Sequence, residues 1–146
     1  MSEPLWNWVH EESIPSSLDA GHKAIDYLLN ALTNYGWDGR EYFHVQMAIE
    51  EAMVNAIKHG NKESPDKSVS VQFRIAENLV WIQLTDQGEG FNPETLPDPT
   101  DEDHLDQPHG RGVMLIRELM TGVHYNERGN QVTMHKVREI DTGESS

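Results

Sequence analysis

The residue pattern predicts an α+β domain in which two helices precede an antiparallel hairpin, and a third helix precedes two closing strands. Three observations lead there. Apolar residues recur at helical spacing in two stretches before residue 60. Two β-rich runs then follow, joined by a two-residue turn. Last, glycine-rich segments stand on either side of a long polar, proline-containing stretch.

The elements follow in chain order. Leu5 to His10 favours a strand, with Trp6 and Trp8 on one face, before a turn-like Ser13-Ile-Pro-Ser-Ser17. Ser17 is placed to cap a helix from Leu18 to about Tyr35, in which Ala24, Leu28, Ala31 and Leu32 share a face and which stops at Gly36. Asp38 and Gly39 open a second helix ending near Gly60. Its apolar face is Val45, Ala48, Ile49, Ala52, Met53 and Ala56. Ser68 to Ala76 and Leu79 to Thr85 read as strands around a Glu77-Asn78 turn. Asn92 to His109, with four prolines and the carboxylates Asp98, Asp101, Glu102, Asp103 and Asp106, reads as a mobile loop. A third helix is expected from Gly112 to about Met120, then strands at Val123 to Tyr125 and Val132 to Val137 around Arg128-Gly129-Asn130. Residues 1–140 are expected to form one domain and 141–146 a polar tail.

Composition narrows the function. A formal net charge of −14, with eleven Lys and Arg, makes nucleic acid and anionic membrane poor partners, while a local anion site remains open. The absence of cysteine removes disulfides, thiol catalysis and cysteine-bound zinc. No leader-like start or membrane-length apolar run is present, so a cytoplasmic setting is expected.

Three segments carry the chemistry. On the second helix Glu51, Asn55 and His59 form a polar stripe beside the apolar face, and a carboxylate one turn before an amide suits a base beside a metal ligand. Glu50 lies about 100° away from it. The same stripe serves equally as the polar side of an amphipathic helix. Asp86 ends a β-run, and Gly88 and Gly90 allow a sharp turn and close ligand approach, with Phe91 covering apolar surface; a plain surface turn has the same composition. Gly110, Arg111, Gly112 and Val113 lead into a helix, where free N–H groups and a guanidinium can meet phosphate, or where glycines merely begin a helix.

Other motifs are missing. Leu115 stands where a dinucleotide fingerprint needs glycine, no Gly-Lys-Ser/Thr loop occurs, Gly88 and Gly90 spoil a calcium loop, and neither His-Glu-x-x-His nor Gly-x-Ser-x-Gly appears among eight histidines and many serines.

Taken in order, Glu51-x-x-x-Asn55-Ala-x-x-His-Gly60, Asp86-x-Gly-x-Gly90-Phe and Gly110-x-Gly-x-x-Leu115 resemble the N, G1 and G2 boxes of the GHKL ATP-binding superfamily across about 100 residues. The resemblance implies an α/β sandwich of the Bergerat type, with a mixed, mainly antiparallel sheet, helices on one face, and ATP with Mg²⁺ held under a lid. It further implies Glu51 as catalytic carboxylate, Asn55 as Mg²⁺ ligand, Asp86 as adenine reader, and Gly110, Arg111 and Gly112 at the phosphates. Asn130 aligns where many relatives carry a threonine that helps bind adenine through water, and altered affinity is expected from the amide. The acidic lid carboxylates are expected to face solvent.

The short chain, with about 50 residues before Glu51, is similar to the anti-sigma factor serine/threonine kinases within that superfamily. That likeness implies a sigma factor and an anti-sigma factor antagonist as partners, with the antagonist phosphorylated on serine or threonine, and admits a homodimer. A non-catalytic module that uses ATP to hold a partner is the alternative.

Overall fold

The strands place hydrophobic and polar residues alternately, and that alternation builds the platform on which everything else rests. A computed structural model describes residues 5–88 and 108–138, the side chains of 108–111 excepted. Strand β1 (Trp8–Pro15) is followed by helix α1 (Leu18–Asn34) and helix α2 (Gly39–Val54), the latter running into a π-wound turn, Asn55–Gly60. Strands β2 (Ser68–Ile75) and β3 (Leu79–Thr85), helix α3 (Pro108–Leu119), and strands β4 (Gly122–Tyr125) and β5 (Gln131–Val137) complete the order. The sheet runs β1-β2-β3-β5-β4, and every pairing among the described residues is antiparallel.

Register decides what faces the helices. His10, Phe73, Ile82, Met134 and Val123 stand opposite one another across all five strands. Phe73, Ile82 and Met134 are fully buried against Leu28 and Leu32 of α1 and Val45 and Ile49 of α2 in one core cluster. Each such side chain contributes about 1.5–3 kcal/mol on burial. The opposite face carries Gln72, Arg74, Trp81, Gln83 and Thr133, and there Arg74 lies over the Trp81 ring at 4.7 Å and beside Trp6 at 5.9 Å.

The ends of α1 follow from single residues. Ser17 Oγ accepts the Ala20 N–H at 3.1 Å. At the other end Gly36 takes φ +83°, Gly36 N–H donates to the Thr33 carbonyl and Trp37 N–H to the Leu32 carbonyl, the paired closure that left-handed glycine permits. Trp37 is thereby folded into the core, with the Arg138 guanidinium over its ring at 4.6 Å.

Three expectations are corrected here. The first strand continues through Pro15, because His10, Glu12 and Ile14 keep alternating inward and an edge strand accepts a proline at its end. Trp6 precedes that strand and lies on the Arg74 face, whereas Trp8 packs on Tyr27 of α1, so the two tryptophans do not share a face. Helix α3 begins at Pro108, four residues before Gly112, as a proline that fits the first helical position allows. The predicted hairpin turn at Glu77-Asn78 is present, closed by Ala76 N–H to the Leu79 carbonyl at 2.8 Å.

Candidate functional site

Between the end of α2 and the inner face of β3, β4 and β5 lies a cavity of about 250 Å³. Its apolar surface comes from Ala52, Ala56, Leu84 and Val132, inward positions of a helix and two strands. Polar groups ring it: Asn55, His59, Asp86 and Asn130 of the residues expected from sequence, with Lys62, Lys67, Tyr125 and Gln131 added by the fold. An apolar slot with a few convergent polar groups is the shape small planar ligands require.

Winding places the helix residues. After Val54 the turns widen, with Asn61 N–H donating to the Ala56 carbonyl at 2.9 Å and Glu63 N–H to the Ile57 carbonyl at 2.8 Å. Such wide turns are found at functional sites. Asn55 sits at the start of this turn, and both atoms of its carboxamide are buried with no hydrogen-bond partner among the described residues. Glu51, one turn earlier, is partly buried, and desolvation raises its pKa. The backbone of Gly112 closes over both side chains: a methyl group there would collide with the Glu51 carboxylate and come within 2.9 Å of Asn55 Nδ2. The first and third glycine-bearing boxes therefore meet at Glu51. Val113, next along α3, is fully buried.

Asp86 is 9% exposed. Desolvation raises its pKa, opposed by the hydrogen bond from Gly88 N–H to Oδ1 (2.8 Å) and by the charges of Lys67 and Arg128. Its carboxylate lies on the α-carbon of Gly60, where any side chain would overlap it. Gly88 in turn packs on the Gly60 carbonyl, a backbone atom that cannot move aside. Gly88→Ala is accordingly expected to destabilise the fold by about 1–3 kcal/mol, the usual penalty of forced overpacking, seen as a lowered thermal midpoint.

The β4–β5 turn is tied to the backbone of the same residue. Asn130 donates from Nδ2 to the Asp86 carbonyl (3.0 Å) and accepts the Asp86 N–H on its own carbonyl (2.9 Å), while Asn126 Oδ1 receives the N–H groups of Gly129, Asn130 and Gln131. Arg128 donates to the Gly88 carbonyl at 3.2 Å. Asn130 thus has its amide committed to the frame of the site.

Gly90 and Phe91, and the acidic lid from Asn92 to Gln107, lie outside the described residues, and only the backbone is described for Gly110 and Arg111. Both of the latter fall in the first turn of α3, whose N–H groups lack helical acceptors. Leu84 and Val132 were legible as inward positions two residues from Asp86 and Asn130. Lys62 and Lys67 were not: Lys62 and Glu63 both adopt φ +54°, a left-handed pair no residue type announces.

The raised pKa values of Glu51 and Asp86 carry a sign. A carboxyl group that binds its proton more tightly folded than unfolded stabilises the fold below the ordinary carboxylate range and loses that contribution as pH rises through its raised value. Glu51→Gln, which cannot ionise, is therefore expected to melt above the parent at neutral pH, the gap closing on acidification. Melting curves across pH test it.

The family comparison decides the fold's kinship: the histidine kinase-like ATPase domain matches residues 14–136. The chain belongs to that family. Within the histidine kinase-like ATPase domains it is similar to the serine-protein kinase RsbW of Staphylococcus aureus, 34% identical over 99 residues covering 62% of each chain. It is also similar to the serine-protein kinase RsbW of Oceanobacillus iheyensis, 29% identical over 99 residues covering 63% of each. The chain thus spans less than two thirds of the length of these relatives. The crystal structure of the RsbU and RsbW domains of Rv1364c from Mycobacterium tuberculosis shares the fold, with a TM-score of 0.58 and 14% identity over 91% of this chain and 32% of that one. Among the described residues no helix is long and apolar enough to cross a membrane.

Proposed function

We propose that this histidine kinase-like ATPase domain is an ATP-dependent serine/threonine protein kinase that acts as an anti-sigma factor and phosphorylates a small antagonist protein. One observation carries the reading: the buried carboxamide of Asn55, without a hydrogen-bond partner among the described residues, stands beside a desolvated Glu51 at the cavity that Asp86 also enters. The likeness to serine-protein kinases supports it.

Asp86 would accept a hydrogen bond from the adenine amino group, with the ring against Ala52, Ala56, Leu84 and Val132. The donor set fits a magnesium ion, because a hard cation that keeps several waters needs only one or two protein oxygens, and Asn55 Oδ1 is such an oxygen, without a hydrogen-bond partner among the described residues. When bound, that ion supplies neutralisation of phosphate charge. Glu51 would accept the proton of the acceptor hydroxyl as its oxygen bonds to the γ-phosphorus and the bond to the β–γ bridging oxygen breaks, releasing ADP. A pKa raised toward neutrality suits a base better than an ordinary carboxylate.

Incubation with γ-labelled ATP, magnesium and a candidate antagonist domain tests the proposal. Label on a serine or threonine of the antagonist is expected. Tight ATP binding with no label on any partner would replace the kinase by the non-catalytic binding module.

A further inference from the structure

Three polar residues of the described chain are buried: Asp86, Ser16 and Asn61. Asn61 is 0% exposed, and its carboxamide is fully engaged. Oδ1 accepts the Gln87 N–H at 2.7 Å, and Nδ2 donates to Ser16 Oγ at 2.6 Å and to the Ser68 carbonyl at 2.8 Å. Around it, Ser16 Oγ donates to the Lys67 carbonyl and Gln87 Oε1 accepts the Ser68 N–H. One side chain so joins the end of the π-wound turn, the junction of β1 and α1, the start of β2 and the residue directly after Asp86.

The Gln87 contact is the one that reaches the cavity. Asp86 is held from one side by Asn130, through its backbone and its carbonyl. Asn61 holds the other side of the same short segment, and its chain neighbour Gly60 supplies the surface on which the Asp86 carboxylate rests. A carboxylate that is to read one edge of a base must be fixed to within a fraction of an ångström, and buried, fully satisfied hydrogen bonds supply that stiffness.

We propose that Asn61 is a positioning residue for base recognition: by clamping the Gln87 N–H it fixes the orientation of the Asp86 carboxylate and thereby sets the preference for a purine carrying an exocyclic amino group over one carrying an oxo group at that position. This rests on the nucleotide reading above.

The test measures dissociation constants of the full chain for magnesium ATP and magnesium inosine triphosphate, which differ at that position. The parent is expected to prefer ATP. In Asn61→Ala the preference falls about tenfold, the effect of one well-made hydrogen bond, while inosine triphosphate affinity moves by less than about twofold. Ser16→Ala, which cuts a different contact of Asn61, keeps the preference. Should Asn61→Ala fail to fold, Asn61→Ser, whose hydroxyl is too short to reach Gln87, carries the same expectation. An unchanged preference in the Asn61 variant, equal weakening of both nucleotides, or an equal collapse in Ser16→Ala overturns the proposal. A parent that binds neither nucleotide overturns the nucleotide reading itself, and one that binds both alike overturns the role of Asp86 on which Asn61 would act.

Discussion

Glu51→Gln is expected to lower phosphoryl transfer to a protein acceptor by about 10²–10⁴-fold, the range for loss of a general base, while ATP affinity stays within about threefold of the parent. The substitution keeps size and shape, so the contact of Gly112 with this side chain survives and the helix is undisturbed. What is lost is the negative charge and, with it, the capacity to take a proton. The separation of chemistry from binding is what a single-turnover experiment at saturating ATP reads, and transfer at the parent rate would remove Glu51 from the reaction. Because the same variant relieves a desolvated charge, a slow enzyme that melts higher than its parent is the expected combination.

Asp86→Asn is the second large effect. The variant retains an acceptor for Gly88 N–H, yet turns the other oxygen into a donor facing the donor edge of adenine. Loss of a charged hydrogen bond is worth about 1.5–3 kcal/mol, so ATP affinity should fall by roughly 10- to 150-fold. The fold itself should tolerate the change or gain from it, since the carboxylate is buried and its pKa is raised by desolvation. Calorimetric titration checks the affinity, and a variant that binds ATP like the parent would free Asp86 from the base. Protonating the parent's Asp86 on acidification should weaken binding in the same direction.

Much of this arrangement was legible because periodicity is a local property. Ala24, Leu28 and Leu32 announced α1, Ser17 and Gly36 announced its ends, and the alternation of Val69, Val71, Phe73 and Ile75 announced a strand with one buried face. Glu51 and Asn55 were legible for the same reason. Their meeting with Gly112 depends on how α3 packs across α2, a long-range contact that spacing does not encode. Pro15 misled, since a proline reads as a turn unless the strand is known to be an edge. Asn61 passed as one more polar residue after a helix, because nothing in its neighbours signals that four separate segments converge on it.

The π-wound turn bears on how this segment tolerates change. Its rings are one residue wider than those of an ordinary helix, so a codon deleted between Asn55 and Gly60 would let regular winding resume over nearly the same arc, with little net rotation of what lies beyond. Gly60 would stay near the Asp86 carboxylate and Asn61 near Gln87, while the side chains inside the turn would shift around its axis. Codon swaps at a solvent-facing position such as Lys58 leave that count intact. Across descendants of this chain, loss of a single residue should therefore be borne better here than in the body of α2, where it would turn Glu51 and Asn55 away from Gly112.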